Sequence, residues 1–284
     1  MTDVYNYGYD STLLRHTQTS YVGTLNGVDY TGNNITNGSD PHLRDFPQQV
    51  SVFDGGGVER ARTVYEYDNY ASDSNHAPLV NRSDISGFDS SFSASYATRG
   101  NVTGTTRYLL SNGAVTGSVI SYAQYDIAGN VVKAIDGRGN ATTIDFSDRF
   151  GAPNAEAQSN TAPTELSSVS QSSYAFPTKI TNALGQIVYT QFDYYLGTPV
   201  DVEDVNGIVS SAYFNDALDR PTQIIRASNI SSSVDPTVKS QTTFTYDDPN
   251  RTVTTTSDLS SYGDNALKSQ GLYDGLGADT HFCL

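Results

Sequence analysis

The sequence predicts an all-β fold, a repeat array of antiparallel β-hairpins forming a curved or spiralling sheet, and three observations carry that reading. Turn motifs of the form Asp-x-x-Gly recur at near-constant spacing, the runs between them have the length and chemistry of strands, and helix-forming residues are scarce. The 284 residues include 20 Tyr, 24 Gly, 33 Ser and 31 Thr, against 16 Lys plus Arg and a single Met. Thr and Tyr suit strands, while Gly and Ser suit turns. Strand content well above the ordinary level of about 20–25%, with almost no helix, is the expectation.

The cadence is clearest from Tyr125 onward. Tyr125-Asp126-Ile127-Ala128-Gly129-Asn130 is followed by Asp136-Gly137-Arg138-Gly139 and by Asp148-Arg149-Phe150-Gly151, so successive Asp residues stand 10 and 12 apart. It returns as Asn182-Ala183-Leu184-Gly185, as Asp193 to Gly197 with one extra residue, as Asp204-Val205-Asn206-Gly207 and as Asp216-Ala217-Leu218-Asp219, spaced 11, 11 and 12 apart. A last copy is Asp274-Gly275-Leu276-Gly277. Asp can cap a turn through its own carboxylate and Gly supplies a positive φ, so each copy reads as a turn, and roughly six to eight residues remain for each strand.

Taken in order, Tyr5 to Asp10 reads as a strand ending in Tyr-Asp, and Leu13 to Tyr21 as another. Residues 23–47, rich in Gly, Asn, Asp and Pro, read as a long surface loop. Val50 to Phe53 resumes the strand pattern and stops at Asp54-Gly55-Gly56-Gly57. In Arg62 to Asp68, Thr63, Tyr65 and Tyr67 share one face by period-2 alternation. Residues 69–90 form a second irregular segment. Tyr96 and Gly100-Asn101-Val102-Thr103 resemble a degenerate copy of Tyr125 to Val131, and Asn112-Gly113 marks a tight hairpin. Residues 164–170 are the one place suited to a short helix, although an insertion loop between repeats is the preferred reading. Gln186 to Phe192, Ile208 to Tyr213 and Thr222 to Arg226 read as strands, 227–240 as a Ser-rich loop, and Thr243 to Tyr246 with Arg251 to Thr256 as a hairpin closed by Asp247-Asp248-Pro249-Asn250.

Serial copies at a near-fixed period signal a repeat architecture. Tyr125-Asp126-x-x-Gly129-Asn130, Asp136-x-x-Gly139-x-x-Thr142 and the turns ending at Gly151 and Gly197 resemble the Tyr-Asp repeats of bacterial Rhs (rearrangement hotspot) proteins. The resemblance is clearest over residues 96–226, with degenerate repeats over 1–95 and further hairpins and a tail over 227–284, and it treats the chain as a single elongated domain. It implies a sheet that winds into a shell around a toxic C-terminal cargo, of which this chain is a curved, partly open wall segment. The family's self-cleavage signature, Asp-Pro-x-Gly-Leu, has no match: Asp40-Pro41, Asp235-Pro236 and Asp248-Pro249 do not continue to Gly-Leu.

A net charge of −15 excludes binding to nucleic-acid phosphates or anionic membrane surfaces through a basic patch. No run approaches the roughly 20 apolar residues of a membrane span, so no membrane insertion is expected. The single Cys283 permits no internal disulfide. His16, His42, His76 and His281 are widely separated and read as packing or surface residues rather than metal ligands. Asp201 to Gly207 has the content of a calcium loop with the wrong spacing, and Asp54-Gly55-Gly56-Gly57 lacks what a phosphate loop requires. No catalytic residue, metal or cofactor is expected. The leading expectation is a non-enzymatic structural segment of a secreted or cell-surface Rhs-type polypeptide, its partners being the remainder of that polypeptide or neighbouring repeats. The alternative is a carbohydrate-binding or adhesion module in which an exposed Tyr194-Tyr195 pair stacks on cell-surface glycans.

Overall fold

A computed structural model describes residues 1–25, 27–31, 43–82, 84–151, 153, 162–230, 238–273 and 279–283. The chain divides into two compact units, Met1–Ile144 and Asp145–Leu284. Each is an antiparallel meander of the kind the repeated turns require.

In the first unit the strands are β1 (Thr2–Tyr7), β2 (Leu13–Tyr21), β3 (Thr24–Leu25), β4 (Val28–Asp29), β5 (Pro47–Asp54), β6 (Glu59–Tyr67), β7 (Val102–Ser111), β8 (Ala114–Tyr125), β9 (Val131–Ile135) and β10 (Ala141–Asp145). They pair antiparallel in the order β1–β2–β5–β6–β7–β8–β9–β10. The β7–β8 turn has Asn112 and Gly113 at φ of 49° and 81°, the all-positive geometry that matches the twist of a two-residue hairpin.

The stretch expected to be a loop over 23–47 is one only in part. β3 and β4 pair as a miniature hairpin, which delivers Tyr30 into the core, its N–H donating to the Gly23 carbonyl at 2.8 Å. Tyr30, Val22 and Tyr67 form the buried centre, packed around by Leu25, Val28, Leu43, Phe46, Tyr65 and Val102. An aromatic ring anchors a segment whose composition alone could not, because one Tyr buries as much apolar area as several small residues.

The second unit opens with a single helical turn, α1 (Thr164–Ser167), whose Leu166 is buried. The expected insertion over 164–170 thus contains helix for one turn. The strands that follow are β11 (Lys179–Thr181), β12 (Ile187–Asp193), β13 (Thr198–Glu203), β14 (Val209–Tyr213), β15 (Gln223–Arg226), β16 (Ser240–Asp247), β17 (Thr252–Ser257), β18 (Leu267–Tyr273) and β19 (Asp279–Cys283). Each pairs antiparallel with the next. Gln191, Asp201, Ser211 and Ile225 stand opposite one another across β12 to β15 and are all buried. Two polar members of that row bond to each other, Ser211 donating to Asp201, and Ser211 shares a further 2.7 Å hydrogen bond with Ser228, which is how these groups leave water without a large penalty.

Candidate functional site

The recurring feature of the molecule is a junction between hairpins, assembled the same way many times. At Asp126 the carboxylate accepts from the N–H groups of Ala128 (3.0 Å) and Asn130 (2.9 Å) and from the Asn130 side chain. The Gly129 N–H returns to the Asp126 carbonyl, and Gly129 lies at φ 87°. Asp136 is built alike, with Arg138 and Asn140 as donors and Gly139 at φ 84°. Those donors hold the Asp136 carboxyl below the usual carboxylate range, the Asn140 side chain first. Asn182 substitutes for Asp with the same bonds, from Leu184 and Gln186, and Gly185 follows. At Asp193 the extra residue is absorbed: its carboxylate takes the Tyr195 and Leu196 N–H groups while Gly197 N–H bonds its carbonyl. Asp204 accepts from Asn206 and Ile208, with Gly207 at φ 77°. Where Asp219 replaces Gly after Asp216 it adopts φ 57°, a region that Asp tolerates better than most residues.

Asp148 behaves differently. Among the described residues no N–H of its own turn donates to its carboxylate, although Gly151 has φ 75°; it accepts from the N–H and hydroxyl of Ser173 (2.6 and 2.7 Å) and from the Tyr194 hydroxyl (3.0 Å). The Asp148 carboxylate, expected to close a local turn, thus also clamps distant segments. Asp274 and Gly277 lie outside the described residues.

Two members of the series were not visible as repeats in the sequence. Asp54 accepts from Gly56 and Val58 with Gly57 at φ 78°, so Asp54-Gly55-Gly56-Gly57 is a further junction. The other is split. Asp68 accepts from the N–H groups of Arg99, Gly100 and Asn101 at 2.8–2.9 Å and from the hydroxyls of Tyr30 (2.6 Å) and Tyr70 (2.8 Å). Its own N–H returns to the Asn101 carbonyl at 2.9 Å, the bond that Asp126 makes with Asn130. The junction containing Gly100 thus begins at Tyr67-Asp68, not at Tyr96, and residues 69–98 are an excursion inside it.

Where an aromatic residue precedes the Asp, it has its own task. Strand register shifts immediately before Phe53, Tyr67, Tyr125, Phe192 and Tyr273, a bulge that turns the ring away from simple alternation. Tyr67 then donates to the Pro47 carbonyl, Tyr125 to Val102 and Tyr246 to Pro221, each at 2.8 Å. Each acceptor lies at the entry of the preceding strand. Tyr closes one hairpin and the next residue begins the turn to the following one. Burial, with the nearby Tyr65, pushes the Tyr67 phenol up to about 12.

The remaining candidates separate clearly. Tyr194 and Tyr195 do not form an exposed pair: Tyr194 is enclosed by Phe150 and Phe176, while Tyr195 is 70% exposed with its hydroxyl on Glu165. His16 stacks between Tyr5 and Phe53 and pairs with Asp3 at 2.9 Å. His76 is buried between Glu66 and Asp73. His42 lies outside the described residues, as do the side chains of His281 and Cys283. Among the described residues no group of three His, Cys, Asp or Glu is placed to hold a metal ion. No described helix is long and apolar enough to cross a membrane.

No family model and no curated protein matches the chain. Solved structures do. The chain is similar to TcdB2-TccC3 without its hypervariable C-terminal region, at 11% identity and TM-score 0.44, over 96% of this chain and 12% of that one. It is also similar to the Photorhabdus luminescens Tc holotoxin pore, at 10% identity and TM-score 0.46, over 98% and 12% respectively, and to TcdB2-TccC3-Cdc42, at 10% identity and TM-score 0.46 with the same coverage. The chain spans about an eighth of the length of these structures. The resemblance to Rhs-type Tyr-Asp repeats stands at the level of fold on the chain's own junctions, in which Tyr and Asp do the work their pairing implies.

Proposed function

We propose that this chain is a structural wall segment of a larger Rhs-type secreted or cell-surface polypeptide, joining neighbouring repeats into a shell and catalysing nothing itself. One observation carries the reading: at Tyr67-Asp68, Tyr125-Asp126 and Tyr246-Asp247 the tyrosine hydroxyl is taken up in joining hairpin to hairpin and the Asp carboxylate in the turn that follows. The Tyr125 hydroxyl is committed to Val102 and the Asp126 carboxylate, fully buried, to its own turn. Residues occupied in this way build a continuous ladder, the stabilising device of a quasi-one-dimensional repeat. The partners are then the flanking repeats, and in the family's manner a cargo held within the shell.

The carbohydrate-binding alternative draws less support, because of the Tyr194-Tyr195 pair Tyr194 is enclosed and only Tyr195 offers an open ring. Cross-linking mass spectrometry on the natural full-length polypeptide tests the wall reading. Cross-links from this stretch to adjoining repeats are expected. Saturable binding on a glycan array that disappears in Tyr195→Ala, or turnover of a glycoside or peptide substrate by the purified chain, overturns it.

A further inference from the structure

The excursion 69–98 leaves and re-enters the sheet at one point, the split junction of Asp68 with Arg99, Gly100 and Asn101. Between these ends it lies back over the sheet of the first unit. Val80 forms a parallel bridge to Asp126, its N–H on the Tyr125 carbonyl and its carbonyl receiving the Ile127 N–H, both at 3.0 Å. Leu79 and Ile127 are buried. Arg82 donates to the Asp126 carboxylate at 3.1 Å, and Gln124 donates to the Asn75 carbonyl at 3.0 Å. The excursion is a strap across the β8–β9 junction.

His76 fastens it. One ring nitrogen, Nε2, lies 2.8 Å from Glu66 Oε2 on β6, and the other, Nδ1, lies 2.9 Å from Asp73 Oδ2 on the strap. The ring meets Tyr122 of β8 edge-on at 5.1 Å between centroids, and the Asn69 amide sits 3.4 Å from Nε2. Thr103 of β7 approaches Glu66 Oε2 at 3.4 Å. Of the groups facing His76, the charged ones are therefore the two carboxylates, and Tyr122, Asn69 and Thr103 are neutral. A neutral imidazole has one donor and one acceptor nitrogen, so it can bond only one of the carboxylates and turns a lone pair toward the other. Both contacts are hydrogen bonds only in the imidazolium.

We propose that residues 69–98 form a pH-governed strap, latched onto the sheet by His76 as an imidazolium between Glu66 and Asp73 and loosened when that ring loses a proton. Burial opposes the charge, but the hydrogen bonds from the ring to Asp73 and Glu66 outweigh it and hold the histidine above its ordinary value. A group whose folded-state pKa is raised contributes stability that is fully present below its unfolded value and is lost as pH rises through the folded one. The latch therefore holds in mild acid and slackens on the alkaline side. In strong acid it ends with the carboxylates. Asp73 is held down to about 2 by hydrogen bonds from the His76 ring and from the His76 and Asn75 N–H groups.

Amide hydrogen exchange on the full chain, corrected for the intrinsic pH dependence of exchange, reads the strap directly at Val80 and Ile127. Between about pH 5.5 and about pH 9, a range that brackets histidine titration, the protection of these two amides is expected to fall at least tenfold while that of β7–β8 amides does not change. In His76→Gln, which cannot carry charge, protection should be low and the same at both pH values; in Glu66→Gln the transition should move to lower pH. Unchanged protection in the parent overturns the proposal, and so does an undiminished pH response in His76→Gln. Nitrogen-15 chemical shifts of the His76 ring in the parent chain give a second measurement needing no variant: both nitrogens protonated at about pH 6.5 supports the latch, and a neutral ring there overturns it.

Discussion

Replacing Asp68 and Asp136 in turn by Asn should have very different consequences, although both residues head a junction of one design. At Asp136 one oxygen accepts the backbone bonds from Arg138 and Asn140, and the amide oxygen of Asn can keep both. The chain already contains that solution, since Asn182 accepts from Leu184 and Gln186 through its Oδ1 and donates to the Gln186 side chain through its Nδ2. At Asp68 both oxygens are in use, Oδ2 by Tyr30, Arg99 and Gly100 and Oδ1 by Tyr70 and Asn101, and the residue is 7% exposed. Asn can serve the three donors with its oxygen, but its NH₂ then faces Tyr70, which can rotate to accept, and the Asn101 N–H, which cannot. One stranded buried donor costs about 1–3 kcal/mol, and loss of charge assistance in the remaining bonds brings the total to roughly 3–5 kcal/mol. At about 2–4 °C per kcal/mol for a unit of this size, the melting temperature should fall by on the order of 10 °C. Differential scanning calorimetry with matched urea melts is the assay. Asp136→Asn should cost far less, because this exposed site keeps both backbone bonds and only the Asn140 amide, which donates to the second oxygen, has to flip to present its own oxygen. Equal losses for the two variants would refute the assignment of Asp68 as a doubly loaded junction.

Gly139→Val should destabilise by roughly 1–2 kcal/mol through its positive φ alone, since no neighbour lies within 4 Å of the added Cβ, and thermal melts matching the parent would show the turn reading to be wrong. At Gly55 the cause is contact, because a Cβ would stand 2.0 Å from the Leu13 carbonyl oxygen; Gly55→Ala should cost about 1–3 kcal/mol and raise amide exchange where β2 meets β5. Deleting residues 69–97 leaves Tyr67-Asp68-Thr98-Arg99-Gly100-Asn101, matching the pattern of Tyr125 to Asn130, so the shortened chain should keep a strand-dominated circular dichroism spectrum while melting lower for lack of the strap over Ile127; loss of that spectrum would count against the split junction. Burial raises the phenols of Tyr30, Tyr67, Tyr70, Tyr125 and Tyr194, so the unfolded chain deprotonates first. Stability should be insensitive to these groups below about pH 10 and fall as pH climbs above it, with a distinct part of the tyrosinate absorbance appearing only together with unfolding; absorbance complete well before unfolding would contradict the clasps.

The junctions were readable where a whole Asp-x-x-Gly lay in one uninterrupted stretch, because both requirements, a capping side chain and a residue free to adopt positive φ, are local. Asp126, Asp136, Asp204 and Asn182 are of that kind. Asp68 was hidden because its partners are Arg99, Gly100 and Asn101, some thirty residues on, and pairing across an insertion leaves no short-range pattern. A signal existed all the same: Tyr67-Asp68 lacks a Gly, and Gly100-Asn101 lacks a Tyr-Asp. Two half-motifs in order are what an insertion into one turn would produce. At Asp148 the local pattern gave no hint of the further role, since Ser173 and Tyr194 reach its carboxylate from elsewhere. Tyr194 failed as a surface ring because Phe150 and Phe176 close over it, and nothing in a period-2 pattern marks which face another segment will cover. The clasps lay between these cases. The Tyr was visible, but its acceptor is a backbone carbonyl on the adjacent strand, at Pro47, Val102 or Pro221, and carbonyls carry no residue identity. In a meander of this kind the chemistry is set by the donor that reaches across the hairpin and by the carboxylate that closes the turn, and any residue can supply the carbonyl. The repeat can therefore drift through most of its length, absorb thirty residues within a junction, and still join one hairpin to the next.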